Sequence, residues 1–337
     1  MHIGWILASV MAAAPGRADA PPSIRFGDQV DVERVVVDAR AMDGAGKPIL
    51  GLLRGDFDVR VDGRAVELES ATWVAAASAP TGRDAEEARQ AGLPGGRLLV
   101  FFFQKDLERS RAAGFLRMLR EAERLVGELT ERDRVAVFSF DTHLKLWMDF
   151  SADHERARQV LKHSLIFEDK AGEIPAGDPS LGAHFDLAAA RGAASPEEAL
   201  TVAGWALQGV PGSKTLVLFG HGFGDFTPGL GVRLHDDYDT ARRALAEARV
   251  TVLSLDVTNA DQHSLEVGLQ QVAEDTGGFF ARTHLYPGQA MDRVRAALAG
   301  HYVLTFVKPR LPPGEHALEI RLSARKGNVL AKSHYRG

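Results

Sequence analysis

Two long apolar runs, set far apart, restrict the folds open to this chain. Gly96–Phe103 (GRLLVFFF) and Lys214–Phe219 (KTLVLF) are apolar without alternation, so each reads as a strand buried on both faces. Such strands need helices above and below them, and the surrounding sequence supplies these. Arg109–Thr130 carries Phe115, Leu116, Leu119, Ala122, Leu125, Val126 and Leu129 at helical spacing. Asp133–Phe140 is a further strand, and Leu144–Phe150 alternates, as an antiparallel edge strand should. Ser151 is placed to cap a helix over Asp153–Leu161. Ser195-Pro196-Glu197-Glu198 joins a cap, an N1 proline and an acidic first turn, which opens a helix to about Gln208. Helices over Asp236–Arg249, Ser264–Thr276 and Pro287–Leu298 then alternate with strands over Val250–Asp256 and Phe279–Ala281. Phe167–Gly192 is polar, glycine-rich and fits neither pattern. The alternation predicts an α/β fold with a doubly wound, mostly parallel sheet flanked by helices.

The two ends of the chain have a different character. Ile24–Val74 is rich in alternating valines and turn signals, and Val61-Asp62-Gly63-Arg64 suits a hairpin with a type I′ turn. Tyr302–Val307, His316–Ala324 and Val329–Tyr335 return to β character. Strands at opposite ends of a chain commonly pair, so an accessory β-sandwich-like module built from the N- and C-terminal strands is expected. Extension of the edge of the α/β sheet is the alternative. Ala75–Gly95, rich in Ala, Gly, Pro and charge, reads as a linker. The expected division is a signal peptide over residues 1–20, a β module over 21–75, a linker over 76–95, an α/β domain over 96–300 and β strands over 301–337.

The absence of cysteine excludes disulfides, thiolate chemistry and thiolate metal sites. A net charge of −5 does not point to nucleic acid or an anionic membrane as a partner, since either would want a basic face. Ile3–Ala14 is an apolar run of signal-peptide length, followed by Ala18-Asp19-Ala20 as a cleavage site; cleavage after Ala18 keeps Pro21 away from the scissile bond. A secreted or periplasmic location is expected, without stable membrane insertion after signal cleavage.

Three further segments carry a family resemblance. They are Leu129–Phe140 (LTERDRVAVFSF), Val210–Phe219 (VPGSKTLVLF) and Ala273–Phe280 (AEDTGGFF). With the two buried strands, and in their order and spacing over about Gly96–Gly300, they resemble a von Willebrand factor A-type domain. The flanks, with Gly46-Lys47-Pro48-Ile49, Gly51-Leu52 and Asp56-Phe57 before the α/β region, are similar to an exported, von Willebrand factor A-related group typical of Acidobacteria. In the family the first strand ends in Asp-x-Ser-x-Ser and a later strand ends in Asp, and these groups hold a divalent cation. Here Gln104 takes the first Asp position, Asp106 and Glu108 the two Ser positions and His221 the later Asp, while Ser180 is the nearest counterpart of the family's middle Thr. Amide and imidazole are poor replacements for carboxylates around a hard cation.

The resemblance therefore implies a non-enzymatic exported protein-interaction module, adhesion-like, whose cation site is lost or remodelled. Its protein or peptide partner would meet the C-terminal edge of the sheet at Gln104, Asp106, Glu108, Ser180, His221, Gly222 and Asp225, with no cofactor. Two alternatives stay open. A metal-dependent adhesion module would hold Mg²⁺ or Ca²⁺ on Asp106, Glu108 and Asp225. A metal-dependent hydrolase would gather His221, His184 and His235 with Asp236, Asp237 or Asp239 around zinc. Gly220-His221-Gly222-Phe223-Gly224 resembles an oxyanion-hole loop but lacks a Gly-x-Ser-x-Gly elbow, and Gly212-Ser213-Lys214-Thr215 precedes a strand where a phosphate loop would follow one. Phe101–Phe103 reads as core.

Overall fold

The computed structural model describes residues 33–75, 96–106, 108–169, 174–229, 231–260 and 263–337. The expected signal peptide and most of the expected linker lie outside them. Glu33–Gly337 forms one compact unit. Its centre is a six-stranded sheet made of β5 (Leu98–Gln104), β6 (Arg134–Phe140), β7 (Leu144–Ser151), β8 (Lys214–Gly220), β11 (Val250–Asp256) and β12 (Phe280–Arg282). The spatial order is β12-β11-β8-β5-β6-β7. All pairs are parallel except β6 with β7, which closes one edge antiparallel as the alternation of Leu144–Phe150 predicts. Counted within this sheet the order is the 3-2-1-4-5-6 of doubly wound folds, whose chain reverses beside the first strand.

Helices α1 (Arg109–Gly127), α2 (His154–Gln159), α3 (Leu187–Gly192), α4 (Pro196–Gln208), α5 (Tyr238–Glu247), α6 (Glu266–Asp275) and α7 (Pro287–Ala297) surround it. The two faces of β5 lead into separate cores. Leu98, Val100 and Phe102 pack with α4 and α5 residues such as Leu200 and Leu245, and Leu99, Phe101 and Phe103 pack with α1 and α7 residues such as Met118 and Met291. Phe103 stacks on Phe219 of β8 at 4.5 Å and meets Phe115 of α1 edge-on. The three phenylalanines are thus the core that their sequence context indicates. Ser195 Oγ accepts the Glu198 N–H at 3.1 Å, as the cap motif requires. At α2 the cap is Asp153, whose carboxylate accepts the Arg156 N–H; Ser151 instead accepts the N–H of Asp153, so the cap lies two residues later than expected. Gly277, at φ +74°, ends α6.

The strands outside this sheet form two further four-stranded sheets. One has the order β15-β1-β13-β4 and the other β16-β14-β2-β3, from β1 (Arg34–Met42), β2 (Phe57–Val61), β3 (Arg64–Val66), β4 (Leu68–Ala75), β13 (Gly300–Val307), β14 (Glu315–Leu322), β15 (Asn328–Ala331) and β16 (His334–Arg336). The tail strands β13 and β14 each pair antiparallel with N-terminal strands, β1 and β2. Val37, Phe57, Val59, Tyr302, Phe306 and Ile320 fill one shared core, which makes this a sandwich. Asp62 and Gly63 turn the β2–β3 hairpin with φ of +48° and +76°, the pair of positive values a type I′ turn needs.

The sandwich is fixed to the N-terminal edge of the α/β sheet. Arg40 of β1, buried and without a carboxylate in contact among the described residues, donates to Ala297 O at 3.1 Å, Thr251 Oγ1 at 3.0 Å and Thr215 Oγ1 at 3.2 Å. Those residues end α7 and lie near the starts of β11 and β8. The opposite, C-terminal edge is left open for a site.

Candidate functional site at the C-terminal sheet edge

The strand register brings five strand ends to one level. Gln104 lies opposite Phe140, Asp256 lies between Gly220 and Arg282, and Phe103 lies opposite Phe219, so Gln104 stands beside Gly220. Ligands of doubly wound sheets bind along this edge.

Gln104 is buried, and both ends of its amide are used. Oε1 accepts the His221 N–H at 3.0 Å, and Nε2 donates to Gly222 O at 2.8 Å. The amide therefore ties the end of β5 to the loop after β8. The loop can turn there because Gly222 sits at φ +109°, and a Cβ on it would fall 2.5 Å from Leu265 Cβ. Gly220 has a similar need: a Cβ would lie 2.9 Å from Gln104 Oε1. An Asp in place of Gln104 could accept from His221 but could not donate to Gly222.

Asp106 faces a guanidinium. Arg111 Nη1 donates to Asp106 Oδ2, Arg111 Nε lies 3.3 Å from a Glu108 oxygen, and the Glu108 N–H donates to Asp106 Oδ1 at 2.9 Å. Burial alone would raise the Asp106 carboxyl, but the Glu108 N–H and the Arg111 charge more than offset it and hold it below its ordinary value. His221 Nε2 stands 3.9 Å from Asp106 Oδ2. Burial, with the Arg111 charge second, pushes the imidazole down to about 4, so it is neutral at physiological pH. Its Nδ1 is buried without a hydrogen-bond partner among the described residues.

These contacts test whether the cation implied by the family resemblance fits. Of the ligand positions, Gln104 is consumed by backbone hydrogen bonds, His221 is a neutral imidazole, and Asp106 and Glu108 share Arg111, which already supplies the positive charge. The residues do not fit a hard divalent cation, which needs several free oxygen ligands.

The remaining expected site residues lie apart. Asp225 is exposed on β9 (Asp225–Thr227), which pairs with β10 (Gly231–Arg233) in a small hairpin beyond β8, and its carboxylate is 3.4 Å from His235 Nε2. Ser180 is not at this edge. Its hydroxyl donates to Asp149 Oδ2 at 2.9 Å, and Asp149 lies in β7 between the partners of Val135 and Val137, near the start of β6. Asp149 also accepts the N–H groups of Gly177, Leu181 and Gly182, so Ser180 belongs to a loop anchor. The zinc grouping of His184 with His221 and His235 does not form. The His184 ring packs against Gly209, at the far end of α4. Lys214 likewise holds no phosphate: its ammonium is buried and donates to Leu207 O and Val210 O at the end of α4.

Sequence reasoning missed two features of this edge. One is Glu197, on the first turn of α4, whose side chain is fully buried and whose two carboxylate oxygens lack a hydrogen-bond partner among the described residues. Burial pushes its carboxyl up, although its own N–H and that of His235 pull the other way. The other is Asp256, His263 and Glu266 at the β11–α6 junction, whose ligating atoms lie within 4.8 Å of one another. A strand that ends in Asp at the C-terminal edge, as Val250–Asp256 does, was the signal available for the second.

No protein family matches the chain, and no curated protein matches it significantly. Similar solved structures include a von Willebrand factor type A protein from Catenulispora acidiphila, with 11% identity and a TM-score of 0.42, covering 86% of this chain and 74% of that one. BatB from Bacteroides thetaiotaomicron has 15% identity and a TM-score of 0.38, covering 60% of this chain and 99% of its own. Manganese-loaded TRAP protein from Plasmodium vivax has 10% identity and a TM-score of 0.38, covering 78% and 96%. At these identities and TM-scores the likeness carries no conclusion about this chain. The motif segments fall on this fold in order: Leu129–Phe140 builds β6, Val210–Phe219 builds β8, and Ala273–Phe280 leads into β12. The sheet order and the reversed edge strand are those of a doubly wound α/β fold, on which these segments keep the order seen in the sequence.

Proposed function

We propose that this chain is a non-enzymatic, exported, adhesion-like module that binds a protein or peptide at the C-terminal edge of its α/β sheet without a bridging cation. The observation that carries this reading is Arg111, whose guanidinium lies against Asp106 and Glu108 where the family resemblance puts a metal ion. A partner carboxylate that a cation would otherwise bind can instead meet Arg111, through charge-assisted hydrogen bonds. The edge also presents apolar side chains. Phe226 on the β9–β10 hairpin and Leu285 and Tyr286 beyond β12 are each more than half exposed. Aromatic anchors beside a few fixed polar groups are the composition of a recognition surface. Export rests on the apolar N-terminal run, which lies outside the described residues; among the described residues no helix is long and apolar enough to cross a membrane.

The test is to capture binding partners on the immobilised mature chain in EDTA, with Arg111→Ala and Phe226→Asp as controls. A partner retained in EDTA and lost from both variants supports the reading. A partner bound only with Mg²⁺ or Ca²⁺ present, or bound equally by all three proteins, overturns it.

A further inference from the structure

We propose that Asp256, His263 and Glu266 form a binding site for a divalent transition-metal ion, with zinc the best match to the donor set. The site is distinct from the family's cation position: β8 lies between β11, which ends in Asp256, and β5, which ends in Gln104. Asp256 closes β11 with 1% exposure, Glu266 opens α6 with 8%, and His263 is half-buried in the loop between them. One ligating atom from each falls within 4.8 Å of the other two. His263 Nε2 and Asp256 Oδ2 are already 3.1 Å apart. Two ligands of one tetrahedral ion, with bonds of about 2.0–2.1 Å, stand roughly 3.3 Å apart, so this pair needs almost no movement.

The ligands are held from behind as metal ligands commonly are. The Thr258 N–H donates to Asp256 Oδ1 at 2.9 Å, and Arg282 donates to the two Glu266 oxygens at 2.9 and 2.7 Å. Such outer contacts fix a carboxylate and leave it lone pairs for a metal. The surroundings hold unused polar capacity. The hydroxyl of Thr258, in the turn that grips Asp256, is buried without a partner among the described residues, and so is Nδ1 of His284. His284 follows Thr283, whose N–H and hydroxyl both donate to Asp256 O. Two carboxylates face one guanidinium and one imidazole here. One imidazole and two carboxylates, without sulfur, suit zinc and its neighbours in the first row better than Mg²⁺, which keeps most of its water. Three protein ligands also leave a fourth position open on the surface proposed to meet a partner.

The experiment is calorimetric titration of the full chain with ZnCl₂, repeated with Co²⁺ while the visible absorption is followed. The expected result is one strong site, at least about tenfold weaker in His263→Ala and in Asp256→Asn and unchanged in Asp106→Asn. The Co²⁺ band should change shape in His263→Gln, which keeps a polar side chain but removes the nitrogen donor. Absence of saturable binding at millimolar zinc would overturn the proposal, as would binding that survives in His263→Ala or is lost in Asp106→Asn. Loss of the zinc site would leave cation-free partner binding at Arg111 standing, so the two proposals fail separately.

Discussion

The two edges of the central sheet treat buried polar groups in opposite ways. At the N-terminal edge, under the sandwich, three buried charged groups are each satisfied. Arg40 makes three hydrogen bonds, the Lys214 ammonium makes two, and the fully buried Asp133 carboxylate takes Arg97 Nε at 2.8 Å and the Thr130 N–H at 2.7 Å. At the C-terminal edge, His221 Nδ1, Thr258 Oγ1, His284 Nδ1 and both Glu197 oxygens are buried without partners among the described residues. Buried polar atoms are nearly always paired; Tyr335 Oη in the sandwich and Ser254 Oγ inside β11 are further exceptions among the described residues, but most of them lie at the C-terminal edge, which needs a cause. The closed edge joins two modules and is optimised for stability. The open edge leaves buried hydrogen-bonding atoms unpaired among the described residues, beside the residues proposed to bind a partner and a metal ion.

The largest expected effect comes from breaking the closed edge. Arg40→Ala leaves two threonine hydroxyls and a helix-end carbonyl facing a cavity. It should cost about 3–5 kcal/mol in urea unfolding, and a loss under about 1 kcal/mol would mean that water or a neighbour readily replaces the guanidinium. At the open edge the effect is smaller and depends on pH. His221 is held neutral down to about 4, whereas the unfolded imidazole takes up its proton near the ordinary 6.5. Between those values the unfolded chain binds more protons, so stability falls as pH falls, by up to about 1.4 kcal/mol per pH unit. Unfolding of His221→Gln at pH 7 and pH 5 should show a flatter dependence than the wild type, by about 2 kcal/mol over that range. Parallel slopes would mean that the imidazole protonates freely in the folded state.

Much of the closed architecture was legible in the sequence, and less of the open edge was. The doubly apolar β5 and β8, the alternating β7, the Ser195 cap and the Asp62-Gly63 turn each obey a local rule, and the structure follows it. Ser180 was misplaced because its role depends on Asp149, a buried carboxylate 31 residues away that collects loop N–H groups. Nothing local to Ser180 signals that contact. Arg111 was missed for the opposite reason. On a helix an arginine reads as solvated surface, and only the fold brings it against Asp106. Asp256, His263 and Glu266 follow no metal-motif spacing, and they meet because β11 ends where α6 begins.

Glu197 offers a finer probe of the same contrast. Its raised carboxyl favours the proton in the folded state, so its contribution is fully present below the unfolded value near 4.5 and is lost as pH rises through the folded value. Glu197→Gln removes the buried charge without removing volume. It should stabilise the chain at pH 8 and change little at pH 4. A variant less stable at pH 8 would mean that the ionised carboxylate has a partner, with His235 the first to examine, since its N–H favours the charged form.

The smallest expected effect bears most directly on the open edge. Arg111→Ala should cost under about 1 kcal/mol, because its ion pairs with Asp106 and Glu108 are partly exposed. If the guanidinium stands in a cation's place, its removal leaves two carboxylates with no counter-charge between them. The variant should then gain a melting-temperature rise of about 2–4 °C in Mg²⁺ or Ca²⁺ at roughly ten times the dissociation constant, where the wild type shows none at Asp106. Arg111→Lys should not gain it, since an ammonium still neutralises the pair. Equal cation responses in wild type and Arg111→Ala would mean that Gln104 and His221, and not the guanidinium, exclude the ion. The next substitution would then be Gln104→Asp, which supplies a carboxylate and breaks the tie to Gly222.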